Sequence, residues 1–188
     1  MKPKCVAVLL AEGFEEIEAI TVIDVLRRAD IAVNVTTLAA TAGPVRGAHG
    51  IEVTSETCLG DLHAAELAML VLPGGMPGSA ALAANPAVHE LARNVHAAGG
   101  IIAAICAAPI ALQAAGLLRG RRVTCYPSFA NQLEGAHYTG QTLEIDTRII
   151  TSRGPGTALV FALELVRQLG QPECAEKLHA AMLVNQRG

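Results

Sequence analysis

The sequence predicts an α/β fold: a three-layer α/β/α sandwich, doubly wound around a mostly parallel sheet. Two observations carry this. Short apolar runs of buried-strand type alternate with longer runs of helical period. Strands that read as continuously apolar are those covered on both faces. The composition agrees, with 52% of the 188 residues hydrophobic and 16% charged. No repeat, low-complexity segment or linker interrupts the chain, so residues 1–188 are expected to form a single domain.

The elements follow in order. Residues 4–10 (KCVAVLL) are an apolar run of strand type. Residues 15–29 place Ile17, Ile20 and Ile23, with Val25 and Leu26, at helical spacing. Residues 31–39 (IAVNVTTLA) alternate and are rich in β-branched side chains, the mark of a strand. Gly-rich turns in 43–56 separate two short strand-like pieces, a hairpin excursion. Residues 67–75 (LAMLVLPGG) form a buried strand ending in paired glycines. The next helix, in NPAVHELARNVHAAGG, is capped by Asn85, has Pro86 at its first position and is stopped by Gly99. A strand to Ile105, a helix to about Ala115 and a strand at 121–126 (RRVTCY) come next. Residues 141–152 read as a second hairpin, and 156–170 and 172–184 as two closing helices.

Several function classes drop out. The net charge is −3, aromatics make up 3% and Trp is absent, so neither a basic nucleic-acid surface nor a base-stacking platform is present. No GxGxxG follows a strand. The N-terminal apolar run is too short for a signal peptide and acids follow it at once; no stretch is long and apolar enough to span a bilayer. A soluble, cytoplasmic protein is expected. The five cysteines, at 5, 58, 106, 125 and 174, are odd in number and form no CxxC, which argues against a disulfide framework or a zinc site. The six histidines make no metal-type pair, so neither metal nor cofactor is expected. His89 and His96, seven apart on one helix, are expected on its outer surface.

In a doubly wound sheet, ligands bind beyond the carboxyl ends of the strands. Three such ends are notable: EGFEEIE, LPGGMPG and Cys106. Cys106 sits where a strand turns into a helix, between Ala104 and the small Ala107 and Ala108, with Pro109 in the first helical turn. That is the pattern of a nucleophile elbow, and the helix N-terminus favours a thiolate. A cysteine after an apolar strand is also commonly a core residue, so both roles stay open. Gly74 and Gly75 let the backbone approach a ligand and aim N–H groups at an oxyanion, or else form an ordinary tight turn. Glu15 and Glu16 are explained by the helix dipole and solvent. Glu18 lies beside the apolar positions. Partly buried there, it would have a raised pKa, donate a hydrogen bond to a thiolate and shuttle protons. On a solvated helix face it would do none of this. The first helix is apolar nearly all round, which calls for burial on more than one side and hints at a dimer.

Together AEGFEEIEAITVIDVLRRA, LVLPGG, IIAAICAAPIAL, VTCYP and ITSRGPGT resemble the ThiJ/PfpI superfamily, a class I glutamine amidotransferase-like group, over essentially the whole chain. Within it they are most similar to the branch of the Parkinson's-disease-associated deglycase and bacterial YajL. The resemblance implies a flavodoxin-like sandwich, a homodimer and an oxidation-prone Cys106 whose sulfur touches a protonated Glu18. It implies backbone donors at Gly75 and Ala107. It also implies a small anion-binding region with Arg153 and, in the same SRGPG segment, Pro155. Tyr126 stands where some members carry a pocket-lining His, and His49 where some carry an Arg near the dimer seam. Ala107 stands where the peptidase branch has a His, which argues against a Cys-His protease dyad. The implied activity is a cofactor-independent glyoxalase (a glyoxalase III-like lyase making lactate from methylglyoxal) or a protein deglycase, a hydrolase acting on glycated protein. The alternative is an oxidative-stress sensor or redox chaperone whose Cys106 is oxidised to sulfinate without obligatory turnover.

Overall fold

A computed structural model describes residues 5–184; Lys4 of the first expected strand, and residues 1–4 of the segment weighed as a signal, lie outside the described residues. The chain runs β1 (Cys5–Leu10), α1 (Glu16–Arg28), β2 (Val33–Thr37), β3 (Pro44–Arg46), β4 (Glu52–Thr54), β5 (Thr57–Cys58), β6 (Leu67–Leu72), α2 (Gly78–Ala84), α3 (Pro86–Ala97), β7 (Ile101–Ile105), α4 (Pro109–Ala114), β8 (Arg122–Val123), β9 (His137–Tyr138), β10 (Leu143–Asp146), β11 (Ile149–Ser152), α5 (Ala158–Gln168) and α6 (Pro172–Ala181).

Seven strands form one sheet in the order β10-β11-β7-β6-β1-β2-β5. All neighbours are parallel except β10, which runs antiparallel to β11. The pleat sorts the apolar residues into two cores. Val6, Val8, Met69, Val71, Ala103 and Ile105 face one side, where Val22, Leu26, Phe161 and Leu165 of α1 and α5 cover them. Ala7, Leu9, Leu70, Leu72, Ile102 and Ala104 face the other, under Leu82, Val88, Leu91, Val95 and Leu112 of α2, α3 and α4. Because both faces are covered there, the central strands β1, β6 and β7 are apolar at every position, which is what made them legible.

The two hairpins form as expected, β3 with β4 and β10 with β11. Asn85 caps α3, its Oδ1 accepting from Ala87 N–H at 2.9 Å. Other expectations need correction. RRVTCY does not join the main sheet: only Arg122–Val123 is a strand, in a two-residue ladder with β9. The rest of the segment is tied down by single bonds, Thr124 N–H to Thr151 Oγ1 and Tyr126 N–H to the Cys106 carbonyl, both at 2.9 Å. α2 has no counterpart in the sequence reading, since GSAALAA offers Leu82 as its one large apolar residue. Ile17 and Ile20 are not core residues; they are 56% and 40% exposed, while Ala19, Val22, Ile23, Val25 and Leu26 are buried. His89 and His96 are half-buried: His89 Nε2 donates to the Ala83 carbonyl at 2.8 Å, and Arg121 donates to His96 Nε2 at 3.3 Å. Among the described residues no helix is long and apolar enough to cross a membrane.

Candidate active site

The carboxyl ends of β1, β6 and β7 lie side by side in the sheet, and the three segments singled out in the sequence meet there. Directly after β7, Cys106 has φ +63°, a left-handed conformation that costs a non-glycine residue about 1–3 kcal/mol. Two backbone bonds hold it. Cys106 N–H donates to the Ser152 carbonyl at 3.0 Å, and its own carbonyl accepts from Tyr126 N–H. Ala107 and Ala108 then lead into α4 with Pro109 at its start. The backbone N–H groups of Ala107 and Gly75 lie near the sulfur and favour its charged form.

Glu18 is fully buried. Its Oε2 accepts from Gly74 N–H at 2.7 Å, while Oε1 is buried without a hydrogen-bond partner. Glu15, the N-cap of α1, closes a ring around it. Glu15 Oε2 accepts from Glu18 N–H at 2.7 Å, and Glu15 N–H donates to the Gly74 carbonyl at 2.9 Å. A Cβ on Gly74 would lie 2.5 Å from Glu18 Oε2 and 2.6 Å from Cys106 Cβ, so carboxyl and cysteine flank the same missing methyl group.

The electrostatics follow from this crowding. Burial pushes Glu18 up to about 7, against the hydrogen bonds from Cys106 and Gly74 and with the help of the Glu15 charge. Burial, then the Glu18 charge, push Cys106 up to about 12, against the N–H groups of Ala107 and Gly75. Burial and the Glu18 charge thus oppose the thiolate that a helix N-terminus was expected to favour. The two groups titrate as a pair that holds one proton between those two values. A thiolate forms there only when the shared proton sits on Glu18, which also removes the charge that opposed it.

Three sequence readings change. Gly74 is not an oxyanion donor, because its N–H is committed to Glu18. Glu15 and Glu16 are not solvated; they are 7% and 3% exposed. Burial would raise Glu16, but His49 and the backbone around it hold it below the usual carboxylate range. His49 is not in the Cys106 site. Its N–H donates to Glu16 Oε1 at 2.6 Å, its Nδ1 pairs with Oε2 at 2.7 Å, and its side chain is 70% exposed. Glu15, Glu16 and His49 do bring ligand-type atoms within 4.8 Å of one another, but both carboxylates already accept hydrogen bonds from the chain.

Tyr126, Arg153 and Pro155 are brought together. With Pro127, Thr142, Gly154, Gly156 and Thr157 they line a cavity of about 330 Å³. Arg153 takes part in none of the ion pairs among the described residues. A larger cavity, about 700 Å³, lies beside β5 and contains none of the predicted site residues.

Residues 4–168 match the DJ-1/PfpI family. The protein dj-1beta of Drosophila melanogaster is 38% identical over 183 residues, 96% of this chain and 97% of that protein. Its crystal structure superposes with a TM-score of 0.91, covering 97% of this chain and 98% of that one. The Parkinson disease protein 7 homolog of Danio rerio is 38% identical over 188 residues, 98% of this chain and 99% of that protein. A Caenorhabditis elegans protein named glutathione-independent glyoxalase DJR-1.2 is 37% identical over 169 residues, 89% of each chain.

Proposed function

The chain belongs to the DJ-1/PfpI family, and from that premise we propose that it is a cofactor-independent glyoxalase acting through Cys106 and Glu18. The observation that carries this reading is the buried Glu18 carboxyl, raised to about 7, beside an elbow cysteine that two N–H groups face. The relative named as a glyoxalase supports it. With the shared proton on Glu18, the thiolate adds to the aldehyde carbon of methylglyoxal. The new alkoxide takes that proton, giving a hemithioacetal. Glu18, now a carboxylate, removes the proton from this carbon and returns one to the neighbouring carbon through an enediol. The first carbon is thereby oxidised to a thioester and the second reduced to an alcohol, with no outside oxidant. Water then cleaves the thioester to lactate and the free thiol. The N–H groups of Gly75 and Ala107, already turned to the sulfur, stabilise the thiolate and the oxyanion beside it. The same addition to a glycated side chain would give deglycase activity.

Lactate formation by purified protein is the test. Cys106→Ser and Glu18→Gln are each expected to lower kcat at least about 100-fold, the usual range for a nucleophile or proton-transfer group. Wild-type rates in both variants would overturn the reading. One observation favours a sensor role as well: the N–H groups near the sulfur and the unpartnered Glu18 Oε1, when protonated, would donate to the oxygens of a Cys106 sulfinate. The exposed Ile17 and Ile20 of α1 support assembly as a homodimer.

A further inference from the structure

We propose, building on the glyoxalase reading, that the cavity lined by Tyr126 and Arg153 seats the group on the substrate's ketone carbon and selects 2-oxoaldehydes bearing a planar aromatic ring over methylglyoxal.

Both walls of this cavity are tethered to the two backbone groups of Cys106. Tyr126 N–H holds the Cys106 carbonyl, and Ser152, immediately before Arg153, accepts the Cys106 N–H. The cavity therefore keeps a fixed position relative to the nucleophile. Its free surfaces are flat and mostly apolar. The Tyr126 residue is 47% exposed, and Gly154 runs against its ring, where a Cβ would lie 3.3 Å from Cδ2. Pro127 and Pro155 supply pyrrolidine rings, and Arg153 supplies a guanidinium plane. The Thr157 hydroxyl is already engaged with Ser152 and Gly154, so it offers little to a polar substituent. A phenol face and a guanidinium in one cavity suit an aromatic ring, through stacking and cation–π attraction.

Size points the same way. The methyl of methylglyoxal occupies about the volume of a water molecule, roughly 30 Å³. The cavity is about 330 Å³. A methyl group fills only a small part of it, and a phenyl ring, several times larger, displaces correspondingly more of its water.

The experiment compares initial rates for phenylglyoxal, cyclohexylglyoxal and methylglyoxal, with wild type, Tyr126→Ala and Tyr126→Phe. Cyclohexylglyoxal matches phenylglyoxal in bulk but is neither flat nor aromatic. The expected result is a kcat/KM for phenylglyoxal about tenfold above that of cyclohexylglyoxal. Tyr126→Ala brings the ratio near one and Tyr126→Phe keeps it. A ratio near one in wild type, a ratio unchanged by Tyr126→Ala, or a preference for methylglyoxal overturns the proposal. In parallel, NMR titration measures binding of mandelate against its cyclohexyl analogue, neither of which reacts with arginine. Tyr126-dependent preference for mandelate without turnover of any aldehyde would keep the cavity assignment and reject the glyoxalase reading. Turnover without aromatic preference would do the reverse.

Discussion

A carboxyl raised to about 7 by burial binds its proton more tightly in the folded chain than in the unfolded one, where its ordinary value is 4.5. The sign follows. Below the unfolded value both states are protonated and Glu18 contributes its full stability; that contribution is lost as the pH rises through the folded value. Each tenfold change in proton affinity is worth about 1.4 kcal/mol, so the loss is on the order of 3 kcal/mol. Urea unfolding of wild type is expected to show this fall between about pH 4.5 and 7, and Glu18→Gln to remove most of it; parallel pH profiles for the two proteins would refute the assignment. Cys106 and Glu18 were legible as candidates, a thiol after an apolar strand and a carboxyl beside apolar helix positions, but the local sequence left a core thiol and a solvated carboxyl open as well. The burial of Glu15 and Glu16 was not legible. It is created by a loop far along the chain, where His49 and Ile51 N–H groups reach Glu16, and by Gly74 reaching Glu15. No local pattern announces a cap whose partner lies on another strand.

Elements were legible where their apolar period was their own. β1, β6 and β7 are buried on both faces and read as strands without help from context. β8 and α2 depend on their surroundings. The β-branched look of RRVTCY is real, but its Thr124 N–H is satisfied by a side chain on β11 instead of a strand partner. Thr151→Val keeps the shape of that side chain and deletes the acceptor, leaving a buried N–H unpaired, which costs about 1–3 kcal/mol. Denaturant midpoints measure it. The Tyr126 tether lies two residues downstream, so the same variant is expected to alter the alkylation rate of Cys106; unchanged stability and alkylation would show that the 124–126 segment is held by other means.

For the whole molecule, the strand order brings three distant chain segments to one sheet edge, and this was foreseeable from the alternation of strands and helices alone. The face left open was foreseeable too, since α1 is apolar on more sides than one sheet can cover. Light scattering at micromolar protein is expected to give a dimer, and Ile17→Glu a folded monomer, because an ion in an apolar interface is heavily penalised. A monomeric wild type would overturn the dimer. The tether from Cys106 to Ser152 also sets a timetable for synthesis. While the chain is still emerging from the ribosome, Cys106 is released well before the residue that must hold its N–H. In that interval the Cys106 N–H lacks its partner, although Glu18 and Gly74 have already been made. A chain cut short before β11 lacks the carbonyl that receives the Cys106 N–H, so its elbow is expected to be held less firmly.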